Sequence, residues 1–257
     1  MNIAVADSAK IGDVLPLVRA YDVGIEIQEF ALPENLDDRA AGDQLAHDIA
    51  TKTASVSLRA LHGPFMELIP ASRDRLVKGV ARTRFESAYE VAKIINAQHL
   101  ILHTGYFPKT YPHDTWIANS AAFWSDFLAD KTGPMRIYLE NIYEDDFGII
   151  VELFSRVNEA LGRTALSICL DIGHVHANSS KNLAQWITGL GSIIQYTHLH
   201  NNDGTKDDHW GLWRGKIDVV EVLDLLLKHA PSAVWTIEAN SEDVEHSLLW
   251  LQEQGYL

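Results

Sequence analysis

Imidazole and carboxylate side chains recur at one kind of place in this chain, the last residues of a short apolar run. Successive runs end in Leu61-His62-Gly63-Pro64-Phe65, Leu102-His103-Thr104-Gly105, Leu139-Glu140-Asn141, Leu170-Asp171-Ile172-Gly173-His174, His198-Leu199-His200-Asn201-Asn202-Asp203 and Ile237-Glu238-Ala239-Asn240. Asp207 and His209 follow closely on the fifth of these. A single polar residue in such a place is usually just leaving the core for solvent. A consecutive series of His, Asp and Glu, with Ser and Lys missing from it, points to chemistry. Imidazole and carboxylate are the ligands that zinc, manganese and iron share. Converging carboxylates repel one another unless a cation sits among them. The expected cofactor is therefore a divalent metal (zinc, manganese or cobalt).

The elements that must bring these residues together are legible as a repeat. The apolar runs are Ile3–Ala6, Gly24–Ile27, Val56–Leu61, Leu100–His103, Ile137–Glu140, Leu166–Asp171, Ile194–His200 and Val234–Glu238. They are rich in Val, Ile and Leu and mostly do not alternate, as expected of strands buried on both faces. Helical patterns lie between them. Leu76 to Ile95 places Val77, Val80, Ala81, Phe85, Ala88, Val91 and Ala92 at a period near 3.6. Similar patterns cover Ile117 to Leu128, Phe147 to Leu161, Val219 to Leu227 and Val244 to Leu251. Eight strand–helix units at about 32-residue spacing predict a single-domain (β/α)8 TIM barrel over residues 1–257, with the site at the C-terminal ends of the strands. A doubly wound open sheet is the alternative, but no Gly-rich turn follows the first strand to hold a dinucleotide.

Composition narrows the partners. The chain has 257 residues, 47% hydrophobic and 22% charged, which suits a globular protein and not a disordered one. Lys and Arg number 21 against 35 Asp and Glu, a formal charge of −14 that opposes attraction to DNA or anionic lipid. No apolar run is long enough to span a bilayer, and Met1 to Asp7 does not read as a signal peptide. Cys169 is the single cysteine, so it has no internal disulfide partner and is expected to be a buried structural thiol. A cytoplasmic location is the default, and oligomeric state is left open.

These strand ends resemble the xylose isomerase-like barrel superfamily, which contains sugar (phosphate) isomerases and epimerases and the endonuclease IV family. The likeness spans nearly the whole chain. It rests on His62-Gly63-Pro64-Phe65 followed by Arg73-Asp74, on Asp171-Ile172-Gly173-His174, on His198 to Asp203, and on Asp207-x-His209. In the isomerase branch the resemblance implies one divalent ion held by Glu140, Asp171, His200 and Glu238. His198 and His200 are two apart and face the same way along a strand. His200 is preferred here, because Asp203 supplies the acid that the family places three residues after its ligand. The resemblance implies acid and base roles for Glu140 and Glu238, and contact of His174 with substrate oxygen.

The endonuclease branch holds three zinc ions, and residues match its whole set: His62, His103, Glu140, Asp171, His174, His200, Asp207, His209 and Glu238. Against phosphodiester cleavage stand the negative charge and the lack of a dense Lys/Arg cluster in the strand-end loops. One segment departs from the family, which shows Gly-x-Gly after the seventh strand. Here the stretch is Trp213-Arg214-Gly215-Lys216, and Trp213 and Arg214 are candidate substrate contacts, against a reading as loop packing. The expectation is a metal-dependent isomerase or epimerase of a sugar, sugar phosphate or related polyol, with His62 and His174 binding substrate oxygens. Proton transfer and hydride shift both remain open. An endonuclease-like zinc phosphodiesterase acting on abasic DNA and a non-enzymatic metal or sugar sensor are the alternatives.

Overall fold

A computed structural model describes residues 2–8 and 10–257. Eight parallel strands close into a barrel in sequence order: β1 (Ile3–Ala6), β2 (Gly24–Ile27), β3 (Arg59–His62), β4 (His99–His103), β5 (Arg136–Glu140), β6 (Ser167–Asp171), β7 (Ile194–Leu199) and β8 (Val234–Ile237). Around them run α1 (Ile11–Tyr21), α2 (Arg39–Lys52), α3 (Arg75–Ile95), α4 (His113–Leu128), α5 (Gly148–Leu161), α6 (Ile172–Asn178), α7 (Leu183–Leu190), α8 (Val219–His229) and α9 (Val244–Glu253). The predicted (β/α)8 barrel is the observed fold. Among the described residues no helix is long and apolar enough to cross a membrane.

The strands present different residues to their two faces. Outward, Val5, Ile25, Leu61, Leu100, Leu102, Leu139, Leu170, Leu199 and Ile237 join the helices in one large apolar layer. Inward, a smaller cluster of Ala4, Ala60, Ile101, Tyr138, Cys169, Tyr196 and Val234 fills the barrel. The interior is therefore more polar than an unbroken apolar strand suggests. Tyr196 Oη donates to Glu26 and accepts from Thr236, and His99 pairs with Tyr138 at 2.9 Å, all within the closed sheet.

Strand limits shift by a few residues from those expected. Val56 lies in a turn, its N–H bonded to Thr53 O, and β3 starts at Arg59. Helix α3 begins where Asp74 caps it through Leu76 N at 2.7 Å. Its inner face joins α4 through stacked and edge-on contacts among Phe85, Phe123, Trp124 and Phe127.

Candidate metal centre and active site

Parallel register places the polar strand ends side by side. His103 is paired with Glu140 across β4 and β5, and Asp171 with His198 across β6 and β7. Paired residues face the same way, so all four enter the barrel mouth together. Asp171 also caps α6, accepting from His174 N at 2.6 Å, which turns the chain sharply and aims His174 back at the site. Gly173 is needed in that turn. A methyl group on it would lie 1.9 Å from His200 Cε1, because the imidazole packs directly on the backbone there.

The strand ends converge. Donor atoms of Glu140, Asp171, His198 and Glu238 all lie within 4.8 Å of one another. Groups of the same compactness are His62, His103 and Glu140, then His200, His209 and Glu238, then Glu26, His62, His198 and Glu238. His174 Nε2 and His209 Nε2 lie 3.2 and 2.8 Å from Asp207 Oδ2. The histidines and acids singled out at the strand ends, Asp203 excepted, are thus in one cluster, buried except for His174, His209 and Glu238, which are half-buried, and Asp207, which is exposed.

The hydrogen bonds fit a cation. His62, His174 and His209 each donate from Nδ1 to a backbone carbonyl, of Gly63, Asn141 and Glu238, at 2.8, 2.8 and 2.7 Å. Nδ1 must then carry the proton. Nε2 is left facing carboxylate oxygens, where a neutral ring offers only a lone pair and an ion between the two would satisfy both. His198 Nδ1 is buried without a hydrogen-bond partner, 3.2 Å from Glu140 Oε1 and 3.1 Å from Glu238 Oε2. The donor set therefore suits a divalent metal.

Electrostatics agree. Burial alone would raise the Glu140 carboxyl, but the imidazoles of His198 and His103 hold it well below the usual carboxylate range. Burial opposes a charge on His198, yet Cys169, Glu238, Glu26 and Glu140 raise it well above the usual imidazole value. His174 is raised in the same way by Asp171, Asp207 and Glu140. His209 is pushed up to about 10, with burial outweighed by its Asp207 hydrogen bond and by Glu238. His103 goes the other way, because its burial outweighs Glu140. Without a metal, protons on imidazole supply the positive charge the carboxylates require.

Above the cluster opens a cavity of about 260 Å³, lined by Gln28, Ala31, His62, Phe65, His103, Glu140, His174, Asp207, His209 and Glu238. Phe65 stacks on His103 with ring centroids 4.6 Å apart and forms an apolar wall. Trp213 and Arg214 do not line this cavity: Trp213 packs edge-on to His246, and Arg214 lies over the Trp210 ring with Asp243 4.0 Å away. His198 and His200 both reach the cluster. His198 is in the four-donor group, and His200 is in the group with His209 and Glu238, its Nε2 3.1 Å from Asp171 Oδ2 and one inward position nearer the mouth. Asp203, the reason for preferring His200, is spent on its own turn, accepting from Thr205 N and Oγ1.

Three residues of the site were not read from the sequence. Glu26 sits in the run Gly24–Ile27, where an acid among apolar residues was the available signal. Gln28 donates to Glu238 Oε1 at 2.5 Å and lines the cavity. Asp7, at the end of β1, accepts from Gln28 N at 2.9 Å. Asn141 and Asn240 do not touch the glutamates they follow. Asn141 clips β5 to β6 through both backbone groups of Asp171, and Asn240 holds the 207–209 loop through Asp208 O and His209 O. Cys169 is fully buried, and burial pushes its thiol well up.

A profile of the xylose isomerase-like TIM barrel family matches residues 18–254. An uncharacterized protein of Methanocaldococcus jannaschii is 29% identical over 187 residues, 69% of this chain and 63% of that relative. The match thus spans less than two thirds of the relative's length. A Thermus thermophilus protein soaked with ZnCl2 superposes with a TM-score of 0.78 at 24% identity, covering 99% of this chain and 98% of the other. A D-psicose 3-epimerase in the presence of D-fructose superposes with a TM-score of 0.76 at 14% identity, covering 98% and 99%. At these identities the superpositions establish the fold.

Proposed function

The chain belongs to the xylose isomerase-like TIM barrel family, and on that premise we propose that it is a divalent-metal-dependent isomerase or epimerase of a sugar or related polyol. The carrying observation is the four-donor group of Glu140, Asp171, His198 and Glu238 at the floor of a cavity onto which both glutamates open. One structural neighbour was soaked with ZnCl2 and another is a D-psicose 3-epimerase, and both support the reading. Among the described residues no Lys or Arg lines the cavity, which favours an uncharged polyol over a sugar phosphate.

Glu140, Asp171, Glu238 and an imidazole from the end of β7, His198 or His200, would hold the ion. A bound divalent cation supplies positive charge that polarises a substrate carbonyl or hydroxyl pair and makes the adjacent C–H more acidic. Glu238 removes or returns that proton from one side and Glu140 from the other. Gln28 fixes Glu238 through Oε1, which directs the other oxygen into the site. His62 and His174 bind substrate oxygens, and Phe65 meets the carbon face and excludes water.

The test is metal analysis followed by turnover. The protein is purified without chelator, its metal counted, and a panel of ketohexoses and polyols is incubated with it in D2O. About one exchangeable ion per chain, with deuterium entering the carbon next to the carbonyl as isomer forms, is the expected outcome. Isomer formed without deuterium would replace proton transfer by a hydride shift. Three zinc ions per chain with cleavage of abasic DNA, or no turnover across the panel, would overturn the reading.

A further inference from the structure

At the end of the barrel remote from the metal cluster, where the strands begin, the connections leading into β5, β6 and β7 enclose a second cavity of about 770 Å³. Its charge is opposite to that of the chain. Lys131, Arg136 and Arg163 line it and, among the described residues, no Asp or Glu does, although acids outnumber bases 35 to 21 in the sequence. Lys131 is answered by Glu86 and Asp130 at 3.0 and 3.1 Å. The two arginines are not. Arg163 Nη2 donates to the main-chain oxygens of Leu128 and Lys131 at 2.7 and 3.3 Å, and Arg136 Nη1 to Gln195 Oε1 at 3.4 Å. These acceptors are neutral, and among the described residues neither guanidinium has an ion-pair partner. The charge is felt at His99, paired with Arg136 across β4 and β5, whose imidazole is lowered to about 4 by burial and then by Arg136.

The walls are ordered ahead of any ligand. Gly162, at φ +62°, ends α5 in the left-handed region and turns the chain under the helix, and Asn158 Oδ1 accepts from Ala165 N at 2.8 Å. Arg163 is thereby held with Nε and Nη1 unspent. The hydroxyls of Thr132, Ser155, Thr164 and Ser192 also line the cavity from α5 and the three connections, and none is bonded to another described group. Phe154 supplies apolar wall. We propose that this cavity is a second binding site, separate from the metal centre, for a small organic phosphate monoester. Two unanswered guanidinium groups match the two negative charges of a phosphoryl group. Donors arriving from several sides suit its three terminal oxygens better than the two coplanar oxygens of a carboxylate. A cationic cleft in an otherwise acidic surface also concentrates anions locally.

Glycerol 3-phosphate is the probe, with glycerol and succinate as controls. Amide proton–nitrogen spectra of the full chain are followed during titration at physiological salt. Saturable shifts are expected at Thr132, Arg136, Thr164 and Ser192, with none from glycerol and weaker binding of succinate. Arg136 is exposed, so Arg136→Gln tests the site without freeing the carbonyls that Arg163 holds, and should weaken binding by about 10–100-fold. Shifts confined to His62, His174 and His209 would put the anion on the metal cluster and overturn the proposal. So would wild-type affinity in Arg136→Gln, succinate binding as tightly as glycerol 3-phosphate, or no saturable shift. The proposal stands apart from the isomerase reading, whose own test is metal content and turnover.

Discussion

Glu140 and Glu238 stand in different surroundings although the sequence presents them alike, each closing an apolar run and followed by a small or polar residue. Glu140 is almost fully buried and shared among His62, His103, His174 and His198, whereas Glu238 reaches the cavity wall and is braced by Gln28. Glu238→Gln should therefore cut turnover by about 10²–10⁴-fold, the scale of a lost general acid or base, and weaken the metal binding to which Glu238 contributes. Glu140→Gln should lose turnover and metal together. Steady-state rates and metal analysis of the two variants check this, and near wild-type rates in both would remove the glutamates from the mechanism. Residue types were enough to find these positions. His198 and His200 both face the barrel interior, and only the depth of each ring separates them. Glu26 and Gln28 stayed hidden because their partners, His198 and Glu238, come from strands remote in sequence, and only closure of the sheet brings them within reach.

The strand–helix repeat was legible because apolar runs and 3.6-residue periods are local properties, and the same locality explains what was not. The short helix α6 follows directly on β6 with no intervening loop, since Asp171 serves as strand end and helix cap at once. A reader of the sequence sees a strand end and a Gly, not a helix. That junction is also where the site is most sensitive to a single carbon. Gly173→Ala puts a methyl group into the His200 ring, and the neighbour that must move is packed between Asp171 and the His209 ring, 4.0 Å away centroid to centroid. The expected result is a well-folded protein with weakened metal binding and reduced turnover. Unchanged zinc affinity in chelator competition would show that the ring has room to yield. By contrast, Trp124→Ala on α4 empties the aromatic contact with Phe85 and Phe127, and should cost about 3–5 kcal/mol of stability in denaturant unfolding without altering the site.

For the whole molecule, the buried acids of the site stand where protons on imidazole or a cation must answer them, and this ties folding to pH. In the metal-free protein the raised histidines, His209 at about 10 and His174 and His198 also above their usual value, bind protons more tightly than the unfolded chain does. Their contribution to stability is complete below about 6.5, the unfolded imidazole value, and is lost as pH climbs through the folded values. Glu140 and Asp171 are lowered, burial being outweighed by His198 and His103 for the first and by His174 and His200 for the second. Their contribution is present above the ordinary carboxylate range and is lost on acidification. Metal-free protein should accordingly melt highest near neutral to mildly acidic pH and fall towards pH 10. Bound metal displaces those protons, so its affinity must rise with pH. At a thousand times the dissociation constant a ligand adds about 4 kcal/mol, which for a chain of this size is on the order of 10 °C in Tm. At one fixed zinc concentration, the gap in Tm between zinc-loaded and chelator-treated protein should be wider at pH 8 than at pH 6. A gap that narrows with rising pH would mean that the imidazoles are not the groups the ion displaces protons from, and that the cluster is held together by something other than a shared need for positive charge.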